Sequence, residues 1–130
     1  MKPIDLKTWL IWTLRKASYR WPPRQEALRR SAVSKAEYLK NPGEAVTNRI
    51  KKFYQCAKCL KVFSRKGVSI DHVEPVVDPR KGWQGFDVYI TRMFCATWKG
   101  FQILCGKDHD AKTQRENEVR KKYRKVRKAA

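Results

Sequence analysis

Two short stretches, SIDHVEP at residues 69–75 and CGKDHDAKT at residues 105–113, carry the pattern from which we predict the fold. Each contains one of the only two histidines of the sequence, His72 and His109, beside acidic residues and shortly after an apolar run. A CAKC pair at residues 56–59 precedes the first stretch. Cysteines, histidines and carboxylates in this order are typical of a metal site with a general base close to it.

The charge of the chain indicates the kind of partner it binds. Its 130 residues carry a formal net charge of +19, from 31 Lys and Arg against 12 Asp and Glu. This length suits one domain with extensions. So large a positive charge favours a polyanionic partner, with nucleic acid as the first candidate.

Cysteine usage and hydropathy bear on the compartment. In a reducing compartment, a C-x-x-C pair followed later by Cys and His favours a zinc site over a disulfide framework. No apolar stretch approaches the roughly 18 residues that a membrane helix needs. Charged residues interrupt the apolar positions near the N-terminus, which is unlike a signal peptide. We therefore expect a soluble cytoplasmic protein that has no membrane partner.

The N-terminal third is predicted to be helical. Apolar residues at helical spacing predict a packing helix over residues 4–21, with its tryptophans in the core, and Pro22-Pro23 ends it. A weaker helix is predicted over residues 24–39 and a short helical segment over residues 44–52. We expect residues 1–52 to form a basic helical extension that docks on the rest of the chain or on DNA.

The rest of the chain alternates strand, loop and helix signals. The predicted elements are a cysteine knuckle at residues 56–59, strands at 60–63, 68–73 and 100–104, a loop at 74–84, and helices at 86–94 and after 108. From Val119 onward the chain has seven basic residues and no acidic one. This tail is a helix along phosphates, a disordered basic arm or a merely solvated segment.

The order of these motifs resembles the HNH endonucleases, whose core is the ββα-metal finger (His-Me finger). The usual pattern of that family is C-x-x-C, then D-H-x-x-P, then L-C-x-x-C-H-x-x-K-T. The matching residues here are Cys56-x-x-Cys59, Asp71-His72-x-x-Pro75 and Leu104-Cys105-x-x-Asp108-His109-x-x-Lys112-Thr113. Flanking segments, and more faintly the RWPPR at residues 20–24, are similar to small freestanding HNH proteins of bacteriophages.

The resemblance implies an α+β fold and a division of the chain. The ββα-metal nuclease core with its zinc knuckle would occupy residues 53–116, after the extension at 1–52. A basic C-terminal helix or tail would occupy residues 117–130.

The resemblance also implies a metal-dependent endonuclease of the phage homing type, which hydrolyses phosphodiester bonds of double-stranded DNA. His72 would be the general base, and Asp71 and His109 would hold a catalytic divalent ion. This chemistry needs a base and positive charge on the developing oxyanion. Mg²⁺ or Mn²⁺ is the expected ion, and an imidazole ligand also accepts Ni²⁺, Co²⁺ or Zn²⁺.

Basic side chains near the motifs are candidate phosphate contacts. Lys112 lies one helical turn beyond His109 and would share its face. The full candidate set is Lys112, Arg115, Arg80, Lys81, Lys99, Lys121, Lys122 and Arg124. Contacts of this kind position a protein on DNA without selecting a base sequence.

Two positions depart from the family pattern. Asp108 stands where the second knuckle usually has its second cysteine, so the structural zinc ligands would be Cys56, Cys59, Cys105 and Asp108. Cys95 is the alternative fourth ligand, and loss of the zinc is a further possibility. Gly100 stands where an Asn usually braces the loop of the base, and Gln102 is a substitute brace only if its side chain points inward.

Two other functions compete with the nuclease. One is a non-catalytic zinc module that binds nucleic acid or protein, and the other is a ribosome-associated basic protein. The second does not explain the pairing of Asp71-His72 with His109. The sequence leaves open the choice between nicking and double-strand cutting, and between monomer and homodimer.

Overall fold

The computed structural model describes residues 3–129, so residues 1, 2 and 130 of the predicted extension and tail lie outside the described part. The fold is mixed α+β with two small sheets. The α-helices within residues 3–129 are α1 (Leu6–Ser18), α2 (Pro22–Arg30), α3 (Lys35–Lys40), α4 (Phe86–Met93) and α5 (Gly106–Ala129). The strands of the same part are β1 (Ala32–Val33), β2 (Phe53–Gln55), β3 (Val62–Phe63), β4 (Val68–His72) and β5 (Phe101–Cys105).

The central hairpin joins the two stretches that contain the histidines. Strands β4 and β5 pair antiparallel, with Asp71 opposite Gln102 and His72 opposite Phe101. This confirms the predicted strands, although β5 starts at Phe101 and continues through Cys105. Helix α5 begins at Gly106, directly after β5, so the strand sets the position of the helix.

The two faces of the hairpin have different neighbours, because successive side chains of a strand point to opposite faces. On one face, Ile70 and Ile103 are buried in a cluster with Ala27 of α2 and Tyr54 of β2. The alternate residues of β4 and β5 include Asp71, which lies close to side chains of α5. Asp71 therefore lies on the face opposite the apolar cluster, whereas His72, two residues after Ile70, shares the face of that cluster and packs on Phe101.

The predicted helix over residues 24–39 is wrong as a single element. Pro22 and Pro23 occupy the first turn of α2, where a missing N–H costs nothing, so they begin a helix as well as ending the one before. Ser31 ends α2, and the next two residues pair with β2 as strand β1. Ser34 then caps α3 by accepting a hydrogen bond from the Glu37 N–H at 3.3 Å.

The predicted helical segment at residues 44–52 is also wrong, since no helix forms there. The buried Tyr38 hydroxyl donates to the carbonyls of Ala45, at 2.8 Å, and Glu44, at 3.3 Å. The Glu44 carboxylate accepts the backbone N–H of Ser64. These tertiary hydrogen bonds use groups that a helix would need for itself.

The tryptophans of α1 are less buried than predicted. Asp5 caps the helix, but Trp9 and Trp12 remain 51% and 55% exposed. The ammonium of Lys16 lies 3.6 Å from the ring centroid of Trp12. Helix α1 contacts α4, with Leu10, Ile11 and Leu14 partly buried, while Leu6, Trp9 and Trp12 remain exposed. The prediction of a tryptophan core was wrong for these two residues.

The remaining predicted elements are mostly confirmed. Residues 74–84 contain no helix or strand, and α4 follows them close to its predicted bounds. The strand predicted at residues 60–63 is shortened to β3, and the basic tail is helical through Ala129. None of the helices within residues 3–129 has both the length and the apolar character to cross a membrane. Strand β1 pairs with β2 across the predicted boundary at residue 52, and that division of the chain stays a prediction.

Candidate active site and metal centre

Three cysteines and one aspartate form a compact cluster of potential metal ligands. The ligand atoms of Cys56, Cys59, Cys105 and Asp108 all lie within 4.8 Å of one another. They come from the turn at residues 56–59, the end of β5 and the first turn of α5. The cluster therefore connects two segments that are far apart in sequence, residues 56–59 and residues 105–108.

The local backbone prepares the cysteine turn for this role. The Cys56 N–H donates to the Lys61 carbonyl at 2.9 Å, and the Ala57 N–H donates to the Ile103 carbonyl of β5 at 2.8 Å. Leu60 adopts a left-handed conformation with φ of 64°, which is uncommon for a residue with a side chain. The Cys105 N–H donates to the Cys56 sulfur at 3.3 Å, a contact that stabilises a thiolate.

The spacing of the ligand atoms suits a tetrahedral ion. The Cys59 and Cys105 sulfurs are 3.9 Å apart, and an Asp108 oxygen lies 3.1 Å from the Cys56 sulfur and 3.3 Å from that of Cys105. Ligands of a tetrahedral zinc ion with Zn–S bonds of about 2.3 Å are roughly 3.5–3.8 Å apart. Three thiolates and one carboxylate therefore fit a metal such as zinc.

The surroundings of two of the cysteine thiols favour their protonated form. Burial raises the pKa of the Cys59 thiol and raises that of Cys105 to about 12. Hydrogen bonds from the Cys56 and Cys105 thiols lower the pKa of Asp108. A bound cation would reverse the preference of the thiols, because thiolates are its ligands.

The alternative ligand Cys95 lies elsewhere and is not part of the cluster. Its side chain packs against the apolar core, and its thiol donates to the Arg92 carbonyl at 3.2 Å. The structure therefore favours Asp108 over Cys95 as the fourth ligand.

A pocket of about 570 Å³ brings the two histidine motifs together. Asp71 and His72 reach it from the end of β4, while His109 and Lys112 reach it from the first turns of α5. The positions of His109, Lys112 and Glu116 share one helix face, since their spacing is three and four residues. The predicted catalytic residues are therefore neighbours in space.

The imidazole of His72 is held in one tautomer. Its Nε2 lies 2.8 Å from the carbonyl oxygen of Met93, and a carbonyl can only accept a hydrogen bond. Nε2 therefore carries the proton, and Nδ1 is left with a lone pair that can accept one. The ring also packs on Phe101, its partner in the hairpin, with ring centroids 4.9 Å apart.

The surroundings of His72 favour the neutral form. Burial lowers the pKa of His72, and the positive charges of Arg24 and Lys112 lower it further. The Met93 carbonyl and the charge of Asp71 act in the opposite direction without reversing the shift. A neutral imidazole at physiological pH is the form that a general base requires.

Asp71 and His109 form the candidate site for a divalent ion. Asp71 Oδ1 and His109 Nε2 are 3.8 Å apart. Two ligands at about 2.1 Å from one ion are separated by roughly 3.0 Å in cis and 4.2 Å in trans. Gln102 donates to Asp71 Oδ2 at 3.1 Å, so this side chain orients the carboxylate and does not brace the loop of the base.

Lys112 already provides one positive charge in this site. Its ammonium lies 3.0 Å from Asp71 Oδ2, 2.5 Å from a Glu116 oxygen and 3.1 Å from the His72 carbonyl oxygen. Burial lowers the pKa of Lys112, but the hydrogen bonds with Glu116 and Asp71 outweigh it and raise that pKa overall. The predicted contact of Lys112 with phosphate stays a prediction.

Gly100 is explained by packing against Cys95. A β-carbon on Gly100 would lie 2.5 Å from both the Cβ and the sulfur of Cys95, which is too close for any side chain. The Gly100 carbonyl accepts the Val73 N–H at 3.0 Å, directly after His72. The backbone carbonyls of Gly100 and Met93 thus hold Val73 and His72 in place. In HNH proteins an asparagine side chain usually braces the corresponding loop.

The other predicted phosphate contacts are spread over the surface. Arg115 borders a groove next to the pocket, together with Gln102 and Glu116. The Arg80 carbonyl accepts a hydrogen bond from Arg127, which ties the loop at residues 74–84 to the end of α5. The exposed members are Arg80, Lys81, Lys99, Arg115, Lys121, Lys122 and Arg124. Their contact with DNA stays a prediction.

Several residues of the pocket were absent from the sequence prediction. Glu116 had a detectable signal, because it lies four residues after Lys112 on the same helix face. Arg15 and Arg24 line the pocket from α1 and α2, and the carbonyl of Met93 reaches it from α4. Apart from the faint similarity of residues 20–24 to phage HNH proteins, no local sequence pattern connects these elements with the motifs.

Comparisons with protein-family models, curated proteins and solved structures returned no match to this chain. The functional interpretation therefore depends on the arrangement of the side chains and on the order of the motifs.

The cysteine cluster predicts a stabilising metal with Asp108 as a ligand. We expect purified protein to contain about one zinc ion per chain, and Asp108→Ala to weaken zinc binding at least about tenfold. Asp108→Cys should bind zinc at least as tightly as the unaltered protein, and Cys95→Ser is the matched control with unchanged zinc content. Elemental analysis and thermal unfolding with and without chelator measure both effects. Equal zinc loss in Cys95→Ser and Asp108→Ala would contradict the assignment.

The contact between Gly100 and Cys95 predicts that an asparagine at position 100, the residue expected from the HNH pattern, destabilises the protein. Gly100→Ala should cost about 1–3 kcal/mol of unfolding free energy by overpacking, and Gly100→Asn at least as much. In a double-mutant cycle the cost of Gly100→Ala should fall when Cys95 is changed to Gly, which removes both clashing atoms. It should fall less with Cys95→Ala, which keeps Cβ. Urea unfolding gives the values, and a Gly100→Asn variant as stable as the original protein would refute this explanation.

Proposed function

We propose that this chain is a metal-dependent DNA endonuclease of the HNH type. In this proposal β4, β5 and α5 form the ββα-metal core, and residues 56–59 form its zinc knuckle. The convergence of Asp71, His72 and His109 on one pocket is the observation that carries the proposal. Each of these residues stands at the matching position of the family pattern.

His72 is the proposed general base. Its Nδ1 lone pair would take a proton from the attacking water, while the Met93 carbonyl keeps the ring in the required tautomer. The water oxygen then forms a bond to phosphorus as a P–O bond of the backbone breaks. The products are a phosphate monoester end and a hydroxyl end.

Asp71 and His109 would hold the catalytic divalent ion, with Mg²⁺ or Mn²⁺ as the proposed physiological ion and Ni²⁺, Co²⁺ or Zn²⁺ as possible substitutes. When bound, the ion supplies positive charge to the phosphate and to the leaving oxygen. Gln102 orients Asp71 for this role, and Lys112 supplies further positive charge beside the same carboxylate.

Cys56, Cys59, Cys105 and Asp108 are proposed to hold a structural zinc ion. In a chain of this size the zinc ion would stabilise the fold, because small cores bury little apolar surface. The cluster also fixes the start of α5 relative to the cysteine turn, and His109 is the next residue after Asp108. The zinc would therefore help to position the catalytic pair.

Double-stranded DNA is the proposed substrate because of the charge of the chain. The net charge of +19 is concentrated in part on the exposed basic face of α5, which carries Lys121, Lys122 and Arg124. Neutralised phosphates release counterions, so binding should weaken steeply with salt.

A non-catalytic nucleic-acid-binding module is the second candidate function. The ion pair between Lys112 and Asp71, 3.0 Å apart, favours it, because it neutralises the carboxylate that would bind the ion. This candidate retains salt-sensitive DNA binding without strand scission.

The role of His72 predicts a sharp loss of cleavage on its removal. Supercoiled plasmid should be nicked or linearised with Mg²⁺ or Mn²⁺, and His72→Ala should lower the rate by at least about a hundredfold. Gln114→Ala, on the exposed side of α5, is the control and should cut normally. Gel retardation should show unchanged DNA affinity for both variants. Intact plasmid with every divalent ion, while DNA is still retarded, would favour the binding module.

The lowered pKa of His72 predicts the pH dependence of cleavage. Because burial favours the neutral imidazole, the rate should stay on its plateau as the pH falls through about 6.5, the ordinary histidine value. It should decline only at lower pH, when the imidazole is protonated. Single-turnover rates at saturating Mg²⁺ give the profile, and an acidic midpoint above 6.5 would contradict the assignment of His72.

A further inference from the structure

One wall of the pocket comes from a part of the chain that is remote from the motifs. We call it the α1–α2 corner, residues 15–24, which runs from the last turns of α1 into the first turn of α2. Arg15, Tyr19 and Arg24 of this corner line the same pocket as Asp71 and His72. The corner contains four basic residues and no acidic one.

The corner is fixed to the segment that positions the candidate base. The Trp21 indole N–H donates to the Cys95 carbonyl at 2.7 Å, and its ring meets Phe94 edge-on at 5.5 Å between centroids. Met93, the residue before Phe94, accepts the hydrogen bond of His72. The corner and the imidazole are therefore attached to consecutive residues and keep a defined separation.

Arg24 is the unusual residue of the corner. It is partly buried, and no carboxylate within residues 3–129 lies at ion-pair distance from it. Its guanidinium carbon is 5.0 Å from the centroid of the Tyr19 ring. Burial lowers the pKa of Arg24, and the nearby positive charge of Arg65 adds to this effect.

A second arginine supports the same interpretation. Arg15 lies beside the Tyr89 hydroxyl, and its charge counteracts the effect of burial on the pKa of Tyr89. Within the described residues Arg15 also has no carboxylate at ion-pair distance. Arg15 itself is exposed, whereas Arg24 is partly buried. Burying a cation without an anion costs free energy, so a pocket wall that partly buries Arg24 in this way is suited to an anionic ligand.

We propose that the α1–α2 corner is a phosphate subsite, in which Arg24, assisted by Arg15, binds a backbone phosphate of nucleic acid beside the reacting phosphodiester. A guanidinium presents two parallel N–H donors to phosphate oxygens, and Tyr19 supplies a ring on which Arg24 lies. The identity of the ligand as nucleic acid rests on the proposed function. The subsite gives the N-terminal helices a role in placing the strand next to His72.

The test compares Arg24→Gln with Arg29→Gln, a matched control on the exposed part of α2. Binding of a fluorescein-labelled DNA duplex is followed by anisotropy over a salt series, without added divalent ion or chelator, so that zinc stays in place and cleavage is not required. Arg24→Gln should weaken binding about tenfold or more and reduce the salt slope by about one, since one charged phosphate contact is lost. Arg29→Gln should change affinity by less than about threefold.

Thermal unfolding separates a ligand-binding role of Arg24 from a structural one. In phosphate-free buffer the Arg24→Gln protein should melt at the same temperature as the original protein or higher, because a partly buried unpaired charge is removed. Inorganic phosphate should raise the melting temperature of the original protein and of Arg29→Gln more than that of Arg24→Gln. A lower melting temperature for Arg24→Gln in phosphate-free buffer would overturn the subsite.

Two further outcomes distinguish this proposal from the nuclease proposal. If Arg24→Gln binds DNA like Arg29→Gln while the original protein cuts plasmid, the subsite is refuted and the nuclease remains. If the original protein does not cut but Arg24→Gln still loses DNA affinity selectively, the subsite stands as part of a binding surface. Protection by inorganic phosphate without any effect of Arg24→Gln on DNA binding would indicate a free-phosphate site and refute nucleic acid as the ligand.

Discussion

Strand β4 pairs with β5 over five residue pairs, and α5 begins at the residue that follows β5. This pairing sets the relative position of Asp71, at the end of one strand, and His109, in the first turn of the helix. A slip of one residue in the register would exchange the two faces of the hairpin. Asp71 would then meet the core cluster of Ile70 and Ile103, and the candidate ion site would be lost. Cross-strand packing of those isoleucines therefore keeps Asp71 directed toward α5, while His72 lies at the edge of the isoleucine face and packs on Phe101.

The cysteine cluster reinforces the same arrangement from outside the sheet. It joins the turn at residues 56–59 to the end of β5 and to Asp108, one residue before His109. The described core is small and divided into three apolar clusters. Coordination of a metal ion by the cysteine cluster would therefore add to the stability that packing provides. Asp108 offers a harder ligand atom than the three sulfurs, and its carboxylate lies within the same cluster.

The pocket combines opposite charges within a strongly basic protein. Asp71 and Glu116 share the ammonium of Lys112, while Arg15 and Arg24 line the same pocket without a carboxylate. The acidic side chains suit a cation, and the unpaired arginines suit the phosphate oxygens that such a cation would accompany. Burial lowers the pKa of His72, and the positive charges of Arg24 and Lys112 lower it further. Burial and charge thus act in the same direction on the proposed general base.

The resemblance of the motif order to HNH endonucleases predicted that Asp71, His72 and His109 share one site. Patterns in the sequence predicted the strands of the hairpin, the helix after it and the cysteine turn. These are local signals, because alternation, capping and ligand spacing depend on residues close together along the chain. The tertiary structure accounts for the end of α2 at Ser31, the lack of a helix at residues 44–52 and the exposure of Trp9. It also accounts for the contact of His72 with the Met93 carbonyl, the packing of Cys95 against the apolar core and the position of Arg24 in the pocket of His72. Each of these depends on what lies across the fold, such as a pairing strand, a buried hydroxyl or a missing neighbour, and no local pattern encodes it.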